Sequence, residues 1–168
     1  MTLASAVEVG PWPREAIAPL NGREVLEQMM AGRLPAPDFG VTMQIWPEEI
    51  GDGRVVFRGE TGEAFRNPLG SVHGGWISTI LDTAMACAIH SLLKPGQLYT
   101  TTSMTIQFTR ALIGDGQIVR CEGVAIHAGG RVATAEGRLY DAKGRMIAHG
   151  SESCLIMEIE RNKASAAA

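Results

Sequence analysis

A single carboxylate stands in a long uncharged stretch of this chain. From Trp76 to Leu93 the only formal charge is Asp82, set among Ile77, Ile80, Leu81, Ala84, Met85 and Ile89. A carboxylate in such surroundings is costly unless it is paired or hydrogen-bonded, and groups perturbed in this way gather at functional sites. Just ahead lie His73, Gly74 and Gly75, with Asn67 six residues before the histidine. The two glycines fall where a helix would begin. Backbone N–H groups there lack intrahelical partners and sit at the positive end of the macrodipole. Having no Cβ, a glycine lets a ligand approach the backbone closely. This suits a carbonyl oxygen that becomes negative during acyl transfer.

Spacing constrains how these groups can cooperate. Asp82 lies eight residues beyond Gly74, about 12 Å along a helix rising ~1.5 Å per residue. That is too far for both to serve one small reacting centre within a subunit. A site built between two subunits would bring them together, so an oligomer is expected.

The elements that must position these residues can be read from periodicity and turn signals. Residues 1–20 hold Pro11, Pro13 and Pro19 without clear periodicity and are expected to form a mobile N-terminal arm or an extended cover. Residues 21–33 read as a helix capped by Asn21, with Val25, Leu26, Met29 and Met30 on one stripe, ended by Pro35 and Pro37. From Gly40 the period changes to two: Val41, Met43 and Ile45 alternate with polar partners, predicting a strand. Gly51-Asp52-Gly53 then turns the chain into a second strand over 54–60. After a Gly- and Pro-containing loop the apolar helix runs over 74–93, stopped by Lys94-Pro95-Gly96. Four further strands follow, over 99–109, 117–127, 131–141 and 145–157. Short turns between them predict antiparallel neighbours in a meander. The class is α+β: a single very apolar helix needs cover on most sides, and a curled antiparallel sheet or a second subunit can supply it.

Composition bounds the rest. The 168 residues, 45% hydrophobic, fit one domain with a substantial core. That domain is set at residues 21–157, with a disordered tail over 158–168. Net charge is −3 and the basic residues are scattered singly, which argues against a nucleic-acid surface. Asp82 and the hydroxyls at Ser78, Thr79, Thr83 and Ser91 argue against a membrane span in the apolar run. The first residues lack a basic stretch followed by an apolar core, so no secretory leader is expected. Cys87, Cys121 and Cys154, odd in number and widely spaced, read as reduced core thiols of a cytoplasmic protein. His73, His90, His127 and His149 are far apart, so no metal site is expected.

Asn67-x-x-Gly-x-x-His73-Gly74-Gly75, followed by a Thr-Ile-Leu-Asp helix, resembles the hotdog-fold acyl-CoA thioesterases. The nearest group is the one named after the phenylacetate-degradation thioesterase. Residues 100–111 and 129–145 resemble that group too, and the similarity spans about residues 40–157. The resemblance implies a hotdog fold, an antiparallel sheet wrapped around the central helix. It implies hydrolysis of an acyl- or aryl-CoA thioester to free acid and coenzyme A, with no bound cofactor. Sites would lie between subunits of a dimer or dimer of dimers. Carried over, the Gly74 N–H polarises the thioester carbonyl and Asn67 supports that carbonyl or the loop. Asp82 acts as general base or nucleophile, His73 orients the loop or substrate, and Thr101 helps place water and the carboxylate. Gly75, Met85 and Arg110 are assigned to the substrate, Met85 at the acyl pocket and Arg110 at coenzyme A phosphates. Arg66 and Ala111 depart from the residues common in that group.

Plainer readings stand beside these. Asp82 could be satisfied by nearby hydroxyls, and Asn67 could only brace the turn. His73 could hydrogen-bond the backbone, the glycines could serve close packing, Met85 could fill the core and Arg110 could face solvent. In function, a non-catalytic acyl-CoA binding hotdog module and a hotdog dehydratase or hydratase are the alternatives.

Overall fold

The apolar helix is the axis on which the molecule is assembled. The computed structural model describes residues 8–158. Helix α4, Gly74–His90, is capped by His73 and buries Ile80, Leu81, Ala84, Met85, Ala88 and Ile89 completely. Ahead of it come α1 (Arg14–Ile17), α2 (Gly22–Met30), α3 (Asp38–Met43) and the hairpin β1 (Ile45–Gly51) and β2 (Arg54–Glu60). After it come β3 (Gln97–Phe108), β4 (Ile118–Ala128), β5 (Val132–Tyr140) and β6 (Met146–Glu158). All six strands form one curved antiparallel sheet in the order β1-β2-β4-β5-β6-β3, and α4 packs on β2 to β6. Four of its buried side chains, Ile80, Leu81, Met85 and Ile89, contribute roughly 6–12 kcal/mol by leaving water. No helix among the described residues is long and apolar enough to cross a membrane.

The sheet accepts the helix because its inner face is small where the two meet. Gly123, Gly137 and Gly150 pair in register across β4, β5 and β6. A Cβ on Gly123 would overlap the Ala84 carbonyl, and one on Gly137 would sit 2.8 Å from Met85 Cγ. Side chains at Gly123 and Gly137 would lift α4 off the sheet and open voids beside it.

Two expectations are corrected here. Strand β3 does not join a meander: it pairs with β6, and β4 pairs with β2. Helix α4 crosses the sheet and delivers β3 to the far edge, so residues 109–117 must run back. Local turn signals do not show which strand becomes a neighbour. Second, residues 41–43 are helical, because α3 starts after Pro37 with Asp38 in its first turn and ends at Gln44, which has φ 56°. The described part of the N-terminal arm packs on the domain, as an extended cover would. Val9 bridges to Ala36, the Trp12 indole N–H donates to the Pro35 carbonyl at 2.9 Å, and Ile17 is buried. The expected tail lies outside the described residues from 159 onward, and Glu158 closes β6. Helix α2 forms as read, with a capping box between Asn21 and Glu24.

Candidate active site

The loop before α4 is braced from within. The Asn67 Oδ1 accepts from the Leu69 N–H at 2.9 Å and the Ser71 N–H at 3.2 Å, and its amide donates to Ser71 Oγ at 2.8 Å. The returning segment 109–117 fastens the same loop. Val72 N–H donates to the Leu112 carbonyl at 2.9 Å, and Arg66 pairs with Asp115. Asn67 therefore holds the loop that presents His73.

His73 caps the helix with its side chain. Its Nδ1 accepts from the Gly75 N–H at 2.9 Å, so that N–H is taken within the chain. A Cβ on Gly75 would lie 3.0 Å from the same nitrogen, which gives the glycine a steric reason. The Gly74 N–H has no hydrogen-bond partner among the described residues. It is the orphan donor at the positive end of a 17-residue helix.

Asp82 lies two turns further on. The hydroxyls of Ser78, Thr79 and Thr83 donate to carbonyls four residues back, at 2.8, 2.9 and 2.7 Å. None of them serves Asp82. Its hydrogen-bond partner is Thr101 of β3, whose Oγ1 lies 3.2 Å from Asp82 Oδ1. Burial pushes the Asp82 carboxyl above its ordinary value, and the Thr101 contact partly opposes this. The Thr101 hydroxyl also lies 2.9 Å from Oε1 of Glu152 on β6. Glu152 is only 2% exposed, and its Oε2 has no partner among the described residues. Its burial, with the Asp82 charge adding, pushes it up to about 7, against hydrogen bonds from Cys154 and Thr101.

A cavity of about 450 Å³ opens beside Asp82 and Thr101. Its walls are largely apolar and aromatic: Trp12, Phe39, Trp46, Phe57 and Tyr99, with Met29 and Met30. Cys87 also lines it, but burial pushes its thiol up to about 12, so it is protonated and a poor nucleophile. His90, buried between Trp12 and Tyr99, is driven down to about 4 by burial and is neutral.

The structure thus brings together Asp82 and Thr101 at the cavity, and Asn67, His73, Gly74 and Gly75 at the head of the helix. Met85 faces the sheet, fully buried against Gly137, and does not line the cavity. Arg110 is exposed past the end of β3 and does not line the cavity either. Glu152 was missed by sequence reasoning. The signal was present: along β6 the inward positions carry Ala148, Gly150, Cys154 and Ile156, and Glu152 shares their parity.

Fold and site together define a class, a hotdog domain with a carboxylate facing an apolar cavity. The model of the thioesterase superfamily matches residues 69–148. A phenylacetic acid degradation-related protein of Ralstonia eutropha superposes with a TM-score of 0.72 at 23% identity, over 77% of this chain and 98% of that one. The PaaI protein of the E. coli phenylacetic acid degradation operon gives 0.71 at 18% identity, over 81% and 94%. A hypothetical thioesterase protein of Streptococcus pneumoniae, solved with coenzyme A, gives 0.62 at 21% identity, over 68% and 86%. No curated protein sequence matches the chain. The hotdog fold and the likeness to thioesterases of the PaaI type, both read from the loop and helix, are borne out by these similarities.

Proposed function

We propose that this protein is an acyl-CoA thioesterase. The observation that carries the reading is Asp82: a carboxylate with one hydrogen-bond partner, raised by burial, at the polar end of an apolar cavity. Such a cavity suits an acyl group, and the carboxylate suits a base acting on water beside the thioester. Asp82 takes a proton as the water oxygen bonds to the carbonyl carbon. The tetrahedral intermediate then expels the thiolate as the C–S bond breaks, and that proton goes to the departing sulfur. The products are the free acid and coenzyme A. A Gly74 N–H, unpartnered among the described residues of its own chain, stabilises the oxyanion. No metal or resident cofactor enters this scheme.

Gly74 and Asp82 lie on one unbroken helix, about 12 Å apart. The proposed centre therefore joins Asp82 of one subunit to Gly74 of another. Strand β3 supports such an assembly: it is a 12-residue strand at the sheet edge, with Met104 and Phe108 exposed. Long edge strands of this kind are templates for pairing with another chain. The three cysteines are free, and the proposed compartment is the cytoplasm.

The test follows thiol release from a panel of aliphatic and aryl acyl-CoAs, with Asp82→Asn in parallel. Release by the wild type and a loss of roughly 10²-fold or more in the variant are expected. Unchanged activity in Asp82→Asn would refute the mechanism, and absence of release across the panel would refute the activity. A clean monomer in solution would refute the shared centre.

A further inference from the structure

The wall of the cavity opposite α4 comes from outside the sheet. Trp12, Met29, Met30 and Phe39 belong to the N-terminal segment, α2 and α3. That wall is fixed in place. Gly10 N–H donates to the Ala36 carbonyl at 3.0 Å, and Ala36 N–H donates to the Glu8 carbonyl at 2.8 Å. The Trp12 indole is held by Pro35 and packs against His90. The space of about 450 Å³ corresponds to roughly fifteen water-sized groups at ~30 Å³ each. An acetyl group would leave most of it unfilled.

We infer that residues 10–12, α2 and α3 form an acyl-group selector, and that the preferred substrates carry an apolar chain of about eight carbons or more. This rests on the thioesterase reading, so two measurements are paired. One is hydrolysis of straight-chain acyl-CoAs from two to fourteen carbons. The other is binding of S-alkyl-CoA thioethers of the same lengths, which cannot be hydrolysed. Both should strengthen with length to at least eight carbons, roughly fourfold per fully buried methylene at most. Ala86→Leu, inside the cavity, and Met30→Trp, at its half-exposed edge, should each move the optimum to shorter chains. Length-dependent thioether binding without hydrolysis would uphold the selector and refute the thioesterase reading. Hydrolysis that is best at two carbons, or unmoved by both variants, would overturn the selector and leave that reading standing. Neither binding nor hydrolysis would overturn both.

A separate observation concerns Glu152. The Thr101 hydroxyl has one hydrogen but stands within hydrogen-bond distance of two carboxylate oxygens, Asp82 Oδ1 and Glu152 Oε1. Both contacts are satisfied only if one carboxyl carries a proton. Glu152 is the more deeply buried of the two, and no cation among the described residues pairs with it. Its titratable neighbours are Asp82 and Cys87 on α4, Tyr99 on β3 and Cys154 on β6, and β5 presents Ala135. We propose that Glu152, as the neutral acid, is a positioning residue: it donates to Thr101 and so turns the Thr101 hydrogen onto Asp82, leaving Asp82 the ionised base. Burial that holds Glu152 up to about 7 is in keeping with this.

Glu152→Gln keeps a donor toward Thr101 and should keep kcat at pH 6. Its kcat should also persist above pH 7, where the wild type declines as Glu152 ionises. Glu152→Met should lose up to about tenfold in kcat, the scale of one hydrogen bond, with KM unchanged. Combined with Thr101→Val, it should lose no more than Thr101→Val alone. Additive losses in the double variant, or a pH profile identical in the wild type and Glu152→Gln, would overturn the proposal.

Discussion

Glu152 should also make stability depend on pH, with a sign and size set by its burial. In the unfolded chain its ordinary value is 4.5; in the fold it stands at about 7. Below pH 4.5 the group is protonated in both states and its ionisation costs nothing. Between the two values the unfolded chain releases the proton first, which draws the equilibrium toward unfolding. Above about 7 the cost is constant. The difference between 4.5 and about 7 corresponds to roughly 3 kcal/mol, at ~1.36 kcal/mol for each tenfold change. Stability from this group is thus fully present below pH 4.5 and lost as pH rises through 7. Glu152→Gln cannot ionise. The unfolding free energy of the variant relative to the wild type should therefore move in its favour by roughly 3 kcal/mol between pH 4.5 and pH 8. In melting temperature that is roughly 6–12 °C for a chain of this size. Urea unfolding at fixed protein concentration, across that window, measures it, since most other titrating groups are common to both proteins and cancel. Parallel stability curves for the two proteins would refute the reasoning, because a buried carboxyl that ionises without cost cannot be held up by burial.

Three further outcomes follow from the packing and the caps. Gly123→Ala places a Cβ into the Ala84 carbonyl, backbone against backbone, and should cost about 3 kcal/mol or more in chemical unfolding. His73→Ala removes the side-chain cap on Gly75 N–H and should cost about 1 kcal/mol by the same measurement. Met104→Lys puts a charge on the exposed edge strand β3; light scattering should show a shift to monomer, with thioesterase activity lost alongside it.

The head of the candidate site was legible because its signals are local. A glycine pair after a capping residue marks a helix start, and one charge in an apolar run marks a costly group wherever the helix packs. The hydroxyls at 78, 79 and 83 looked able to satisfy Asp82. Only the helix geometry shows that each is spent on a carbonyl four residues back. The alternation over residues 41–45 looked like a strand, but Pro37 and Asp38 start a short helix that a period-two pattern does not reveal.

By itself, then, the sequence determined the long apolar helix, its capped start, the lone carboxylate and the antiparallel class, since each depends on residues close along the chain. The tertiary structure decided what lies far apart in sequence: β3 beside β6, the N-terminal segment as a cavity wall, Met85 turned to the sheet, and Glu152 brought to Asp82 through Thr101. The physical reason is that α4 must bury nearly all its surface at once. The side that each of its residues faces, and the strand that reaches Asp82, are fixed only when sheet, glycine row and cap close around it.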